Sequence, residues 1–112
     1  MLMKLRIYQI DLKLDVQNVA FRSYAEMQIQ YGGRIPVELY RKAYEGTVEA
    51  ENLEDVFYIF NMDHPSDYRA RSLSMSDVVE VIEDHGSTFY ICDTFGFKEV
   101  PFDTSRVLEE SP

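Results

Sequence analysis

Apolar and polar residues alternate along the opening of the chain. Leu5, Ile7, Ile10, Leu12 and Leu14 are separated by Lys4, Arg6, Gln9, Asp11 and Lys13, which predicts a strand with a bulge near Tyr8–Gln9. The period then lengthens. In VQNVAFRSYAEMQIQYGG, Ala20, Tyr24, Met27 and Tyr31 recur at helical spacing, with Asp15 or Asn18 as the cap and Gly32 and Gly33 as the stop. After Pro36, LYRKAYEGTVEA alternates as a second strand with Gly46 as a bend or bulge. Asn52, followed by Leu53, Val56, Phe57 and Phe60, begins a second helix. Glu54 and Asp55 sit in its first turn, and it ends near Asn61 and Met62, ahead of Pro65.

Beyond the polar stretch MDHPSDYRAR, Ser72, Ser74 and Ser76 alternate with Leu73 and Met75 as an edge strand, and Ser76 with Asp77 turns into VVEVI. VVEVI and TFYICDTF flank EDHGS as a five-residue hairpin loop with Gly86 at positive φ, and Gly96 introduces a third antiparallel segment, FKEVPF. The order β-α-β-α-β-β-β predicts an α+β domain. Its sheet is mostly antiparallel, its two helices pack on one face, and it closes with a C-terminal hairpin and meander. The chain of 112 residues suits one domain, 1–105, followed by a flexible tail, 106–112.

Composition narrows the class. Fifteen aromatic residues and 46% hydrophobic content support a true core. One cysteine rules out an intrachain disulfide and, with only two histidines, a Cys/His structural zinc site. Neither a signal-peptide apolar region nor a membrane span is present, so the expectation is a soluble cytoplasmic protein without metal or cofactor.

Charge changes the picture more. The net charge is −9, and it is unevenly spread. Residues 43–97 hold twelve carboxylates against Arg69 and Arg71, a sum of −10, whereas residues 1–42 sum to +3. Such a surface repels nucleic acid and attracts proteins that bind it. The candidate partner-binding residues are Glu45, Glu49, Glu51, Glu54, Asp55, Asp63, Asp67, Glu83 and Asp84, with Arg69 and Arg71 as anchors or neutralising ions.

Candidate catalytic groups are sparse. Cys92 is the only thiol and reads as a buried structural residue, with His85 seven residues away at a strand end. Asp63, His64 and Asp67 offer a carboxylate–imidazole group, which a polar loop also contains without any chemistry. No G-x-S-x-G elbow, S-x-x-K motif or phosphate-binding glycine loop is present.

The run FNMDHPSDYRARSLSMSDVVEV, followed by FYICDTFGFKEV, resembles the YodL-like domain, whose pattern F-N…H-P…Y…R-S-L-S-x-S-D-V-V precedes a Y-x-C-D-(S/T)-F-G-F-K segment. YEGTVEAENLEDVFYIFN and LRIYQIDL are similar to that family's N-terminal part, and Ala70 stands where the pattern has glycine. The resemblance covers about residues 5–102 and carries no catalytic residues. It implies a small protein or domain of Gram-positive bacteria and their mobile elements, without known enzymatic activity. Asn61, His64, Pro65, Arg71, Ser72, Ser74, Ser76 and Asp77 then have either a structural or a binding role.

Charge and resemblance together suggest a non-enzymatic, acidic protein-binding or inhibitor module. Its concrete form is a counter-defence protein, anti-CRISPR or antirestriction-like, that engages the basic surface of a nuclease effector and binds no nucleic acid itself. The alternative is an interaction protein of the actin-like cytoskeleton and cell-shape machinery, and a third reading is a small enzyme centred on His64.

Overall fold

The computed structural model describes residues 1–108. Among them, five strands form one antiparallel sheet: β1 (Leu2–Ile10), β2 (Tyr40–Glu49), β3 (Val78–Glu83), β4 (Gly86–Asp93) and β5 (Gly96–Glu99), in the order β2-β1-β3-β4-β5. Two helices, α1 (Tyr24–Gln30) and α2 (Leu53–Met62), complete an α+β fold that ends in the expected β3-β4-β5 meander.

The helices lie on opposite faces of the sheet, not on one. Tyr8, Ile10, Val78 and Ile91 pack with Met27 of α1 and with Ile35, Tyr40 and Phe102. Leu5, Ile7 and Val79 pack with Val56 and Phe60 of α2 and with Tyr68 and Leu73. The reason is in the alternation itself: successive side chains of β1 and β3 point to opposite faces, and both sets are apolar. Each set needs its own helix to cover it.

Several boundaries also shift. The opening strand ends at Ile10, because Asp11 accepts a hydrogen bond from Lys13 N–H (3.0 Å) and starts a single 3-10 turn over Leu12–Leu14. The bulge falls on β2: Ile7 faces Tyr44 and Tyr8 faces Lys42, leaving Ala43 as the extra residue. Helix α1 begins only at Tyr24, capped by Ser23, whose Oγ accepts from Glu26 N–H (3.2 Å). Asn18 and Phe21 are left-handed and interrupt the predicted helix, while Asp15 caps the preceding turn by accepting from Val19 and Ala20 N–H (both 2.9 Å). Helix α2 runs as expected, with Asn52 Oδ1 accepting from Asp55 N–H (2.9 Å). Residues 71–75 form no strand. The β3–β4 hairpin loop is two residues, Asp84 and His85, because Glu83 pairs directly with Gly86, which carries the expected positive φ.

The described part of the expected tail, residues 106–108, is held to the fold. Leu108 N–H donates to Tyr40 O (2.8 Å) and pairs with β2, and the rest of that tail, 109–112, lies outside the described residues.

Gly46 is not the bulge, and its role is spatial. The Tyr44 ring lies along the strand so closely that a Cβ at position 46 would strike its hydroxyl and ring edge. That ring is wedged against Phe60 (5.4 Å) and Tyr68 (5.5 Å) and cannot swing freely. Gly46→Ala is therefore expected to cost about 1–3 kcal/mol by overpacking, despite the better strand propensity of alanine. In a Tyr44→Ala background the same change should become neutral or stabilising, a reversal that denaturant unfolding of the four proteins measures.

Candidate protein-binding surface

The serine-rich motif builds a buried polar hub, in which Asp77 is fully buried. Its Oδ2 accepts from Ser74 N–H (2.8 Å) and Gln9 Nε2 (3.0 Å), and its backbone carbonyl accepts from Cys92 N–H (2.8 Å). Ser76 is held at φ +79 from three directions. Its N–H donates to Cys92 O (3.0 Å), its carbonyl accepts from Tyr40 Oη (2.6 Å), and its Oγ accepts from Phe21 N–H (3.1 Å). Arg71 donates through Nη2 to Ile10 O (3.0 Å), lies over the Phe21 ring (5.2 Å), and offers its carbonyl to Gln9 and to the Tyr68 hydroxyl. Asn61 ties the end of α2 to this loop by donating to Phe57 O (2.9 Å) and Leu73 O (3.0 Å). These motif residues hold the loop between α2 and β3 onto the sheet.

The candidate chemical groups are kept apart. Cys92 is buried, and burial first, then the nearby Asp77, pushes its thiol up to about 12. His64 is exposed, with Nδ1 3.1 Å from Pro65 O and its ring against Tyr68 (5.7 Å). Asp63 caps the end of α2, whereas Asp67 accepts from the Tyr44 hydroxyl (3.2 Å), so the three loop residues do not converge. Among the described residues, no three His, Cys, Asp or Glu side chains are grouped to hold a metal ion, and no helix is long and apolar enough to cross a membrane.

The carboxylates sort by environment. Glu80 is buried on the α1 face, accepting from Tyr8 Oη (2.7 Å), Arg6 Nη1 (3.0 Å) and Ser87 Oγ (2.6 Å). Glu45 meets Arg6 (2.9 Å) and Lys42 (3.0 Å), which hold its carboxyl down at about 2. Asp55 accepts from Glu51 N–H (2.9 Å) in the cap of α2. Arg69 folds back onto the Ser66 carbonyl, and Arg71 belongs to the hub.

Asp93, at the far end of β4, accepts from Tyr24 N–H (3.1 Å), and four further acids lie at the other end of the sheet. Leu2 pairs with Glu49 and Lys4 with Ile82, so Glu49 and Glu51 at the end of β2 lie at the same end of the sheet as Glu83 and Asp84 of the β3–β4 turn, with β1 between the two pairs. The Met1 α-amino group sits against Glu49 and Glu51. Glu54 extends this group onto α2, where it borders a cleft with Met3, Val81 and Phe97.

Beside the acids is a surface that charge counting does not reveal. Phe57, Tyr58 and Met62 of α2 are 41%, 61% and 71% exposed, and Phe95 in the β4–β5 turn is 97% exposed. Between Phe57 of α2 and the β4–β5 turn lies a cleft of about 260 Å³ lined by Glu54, Phe57, Cys92, Asp93, Thr94, Gly96 and Phe97. An amphipathic surface helix ordinarily turns polar side chains to water. The sequence does hold the signal: LEDVFYIFNM is apolar nearly all round the helix, more than one buried stripe requires.

The family model described as the YodL-like domain matches residues 4–102. No curated protein and no solved structure matches the chain.

Desolvation raises the Asp77 carboxyl to about 7, outweighing its hydrogen bonds from Ser74 and Gln9 and the Arg71 guanidinium, whose Nη2 is 3.9 Å away. Tyr68, Tyr40 and Cys92 are the other titratable groups around it. The unfolded chain ionises Asp77 near the ordinary carboxylate value, while the native fold keeps the proton. The resulting contribution is fully present below that value and is lost as pH rises through about 7. Asp77→Asn should flatten the loss of stability between about pH 4 and 7, which urea unfolding across that range measures against the parent chain. Replacing Cys92 with Ala should bring only a modest loss of stability, which urea unfolding measures.

Proposed function

The chain belongs to the YodL-like domain family, and on that footing we propose that it is a non-enzymatic protein-binding module whose partner has a basic surface. The observation that carries the reading is the exposed apolar face of α2, set beside the acidic end of the sheet. Apolar anchors with a charged rim are the anatomy of a protein interface: the anchors supply affinity, and the rim supplies steering and orientation. The concrete form is a counter-defence protein, anti-CRISPR or antirestriction-like. Glu49, Glu51, Glu54, Glu83 and Asp84 would face the nucleic-acid groove of a nuclease effector, and Phe57, Tyr58 and Met62 would seat against its apolar margin. The distribution of charge supports this, since Glu49, Glu51, Glu83 and Asp84 are exposed at one end of the sheet, while Glu45 is paired with Arg6 and Asp77 and Glu80 are buried within the fold.

Two substitution sets separate anchor from rim. Tyr58→Ser with Met62→Ser should abolish capture of the partner from host lysate without unfolding the protein. Lysine at Glu49, Glu51, Glu83 and Asp84 should slow association and remove its salt dependence, each contact being worth about 0.2–1 kcal/mol alone. Folded variants of both kinds that keep the partner and its salt response would place the interface elsewhere. The isolated protein should not shift duplex DNA at physiological salt, because its net charge opposes phosphate.

A further inference from the structure

The ladder between β4 and β5 shows which backbone groups are left over. Val100 N–H donates to Phe89 O (2.9 Å), so Phe89/Val100, Ile91/Lys98 and Asp93/Gly96 are the hydrogen-bonded pairs. Tyr90/Glu99 and Cys92/Phe97 are the alternate pairs, and the N–H and C=O groups of Phe97 and Glu99 therefore point away from β4 toward the open side of the sheet. The side chains of these two residues face the α2 layer, as Cys92 and Tyr90 opposite them do. Phe97 and Glu54 line the cleft beside Phe57.

We propose that β5 is a strand-addition site. An extended segment of a partner protein pairs along Phe97–Glu99 as a sixth strand, seats an apolar side chain in the cleft between Phe57 and Phe97, and sets a basic side chain two positions away against Glu99 and Glu54. This rests on the reading of the protein as a binding module and names how its partner is held.

Three observations support this edge and this occupant. Lysine on an edge strand commonly discourages pairing, but alternation turns Lys98 to the α1 face, where its Nζ lies over the Tyr24 ring (5.7 Å). Among the described residues, the charged side chains set on the α2 side of the edge, Glu54 and Glu99, are carboxylates, which favour a cationic segment. A second copy of the chain is a poor occupant: it adds −9 to −9, and pairing Phe97 with its Glu99 sets Lys98 against Lys98. On the partner side, main-chain bonds supply affinity and the alternate side chains supply choice.

The test pans phage-displayed random octapeptides against the immobilised full chain and remeasures the enriched sequences as synthetic peptides by fluorescence anisotropy. Enriched peptides should carry Lys or Arg two residues from Leu, Ile or Phe. Glu99→Pro removes an outward N–H without touching a bond to β4 and should weaken them at least tenfold, as should Phe57→Asp. Glu54→Lys with Glu99→Lys should switch the selection to acidic peptides. If Glu99→Pro melts early, N-methylation of the peptide amide that faces β5 takes its place and should abolish binding. No enrichment, or affinities that survive both the backbone block and the charge reversal, would overturn strand addition. Loss of the lysate partner in the Tyr58/Met62 variant, with full retention in Glu99→Pro, would overturn it too while leaving the protein-binding reading intact.

Discussion

The architecture depends on a strand that is apolar on both of its faces. β1 runs through the middle of the sheet with Leu5 and Ile7 on one side and Tyr8 and Ile10 on the other, and all four are buried. Burying only one set would leave two large side chains in water, at a cost of about 1.5–3 kcal/mol each. Two helices on one face cannot satisfy that strand. One helix on each face can, and the remaining strands fall into order around it: β3 repeats the two-faced pattern with Val78 and Val79, while β2 and β5 form the edges.

The polar hub solves a problem this arrangement creates. A chain leaving α2 must cross to the centre of the sheet before it can begin β3, and the crossing carries backbone groups into a dry interior. Asp77, Gln9, Tyr40 and Asn61 meet those groups with side chains, and a left-handed serine, Ser76, makes the corner. Residues that read in sequence as an edge strand and its turn are there connectors. Cys92, whose backbone closes the same corner, shares that role.

Local signals in the sequence were legible where the backbone alone decides. The cap at Asn52, the end of α2 before Pro65, the left-handed glycines and the alternation of the last strands all appear where the residues place them. What escaped was set by tertiary contact. Ser72–Ser76 alternates like a strand, but the hydrogen bonds of Ser74 and Ser76 go to the hub, leaving none for a ladder. Asp77 and Glu80 count among the acids of the sequence yet lie inside the fold, and Glu45 faces Arg6 only because β1 and β2 pair. The candidate surface was half visible: its carboxylates could be counted, whereas the exposure of Phe57, Tyr58 and Met62 follows from which stripe of α2 the core already uses.

The two cores share a wall and, at one end of it, the polar hub. Met27 and Phe60 never meet, since the sheet stands between the groups they belong to. Such a molecule is built like a double-sided panel, in which one covering can loosen while the other stays fastened. The short α1 layer, seven residues of helix with two left-handed residues before it, is the covering that opens first. Amide protons of α1 will then exchange with solvent well before those of β1 and β3. The α2 side will keep its shape through those openings, so the exposed apolar face of α2 is the one that native fluctuation disturbs least.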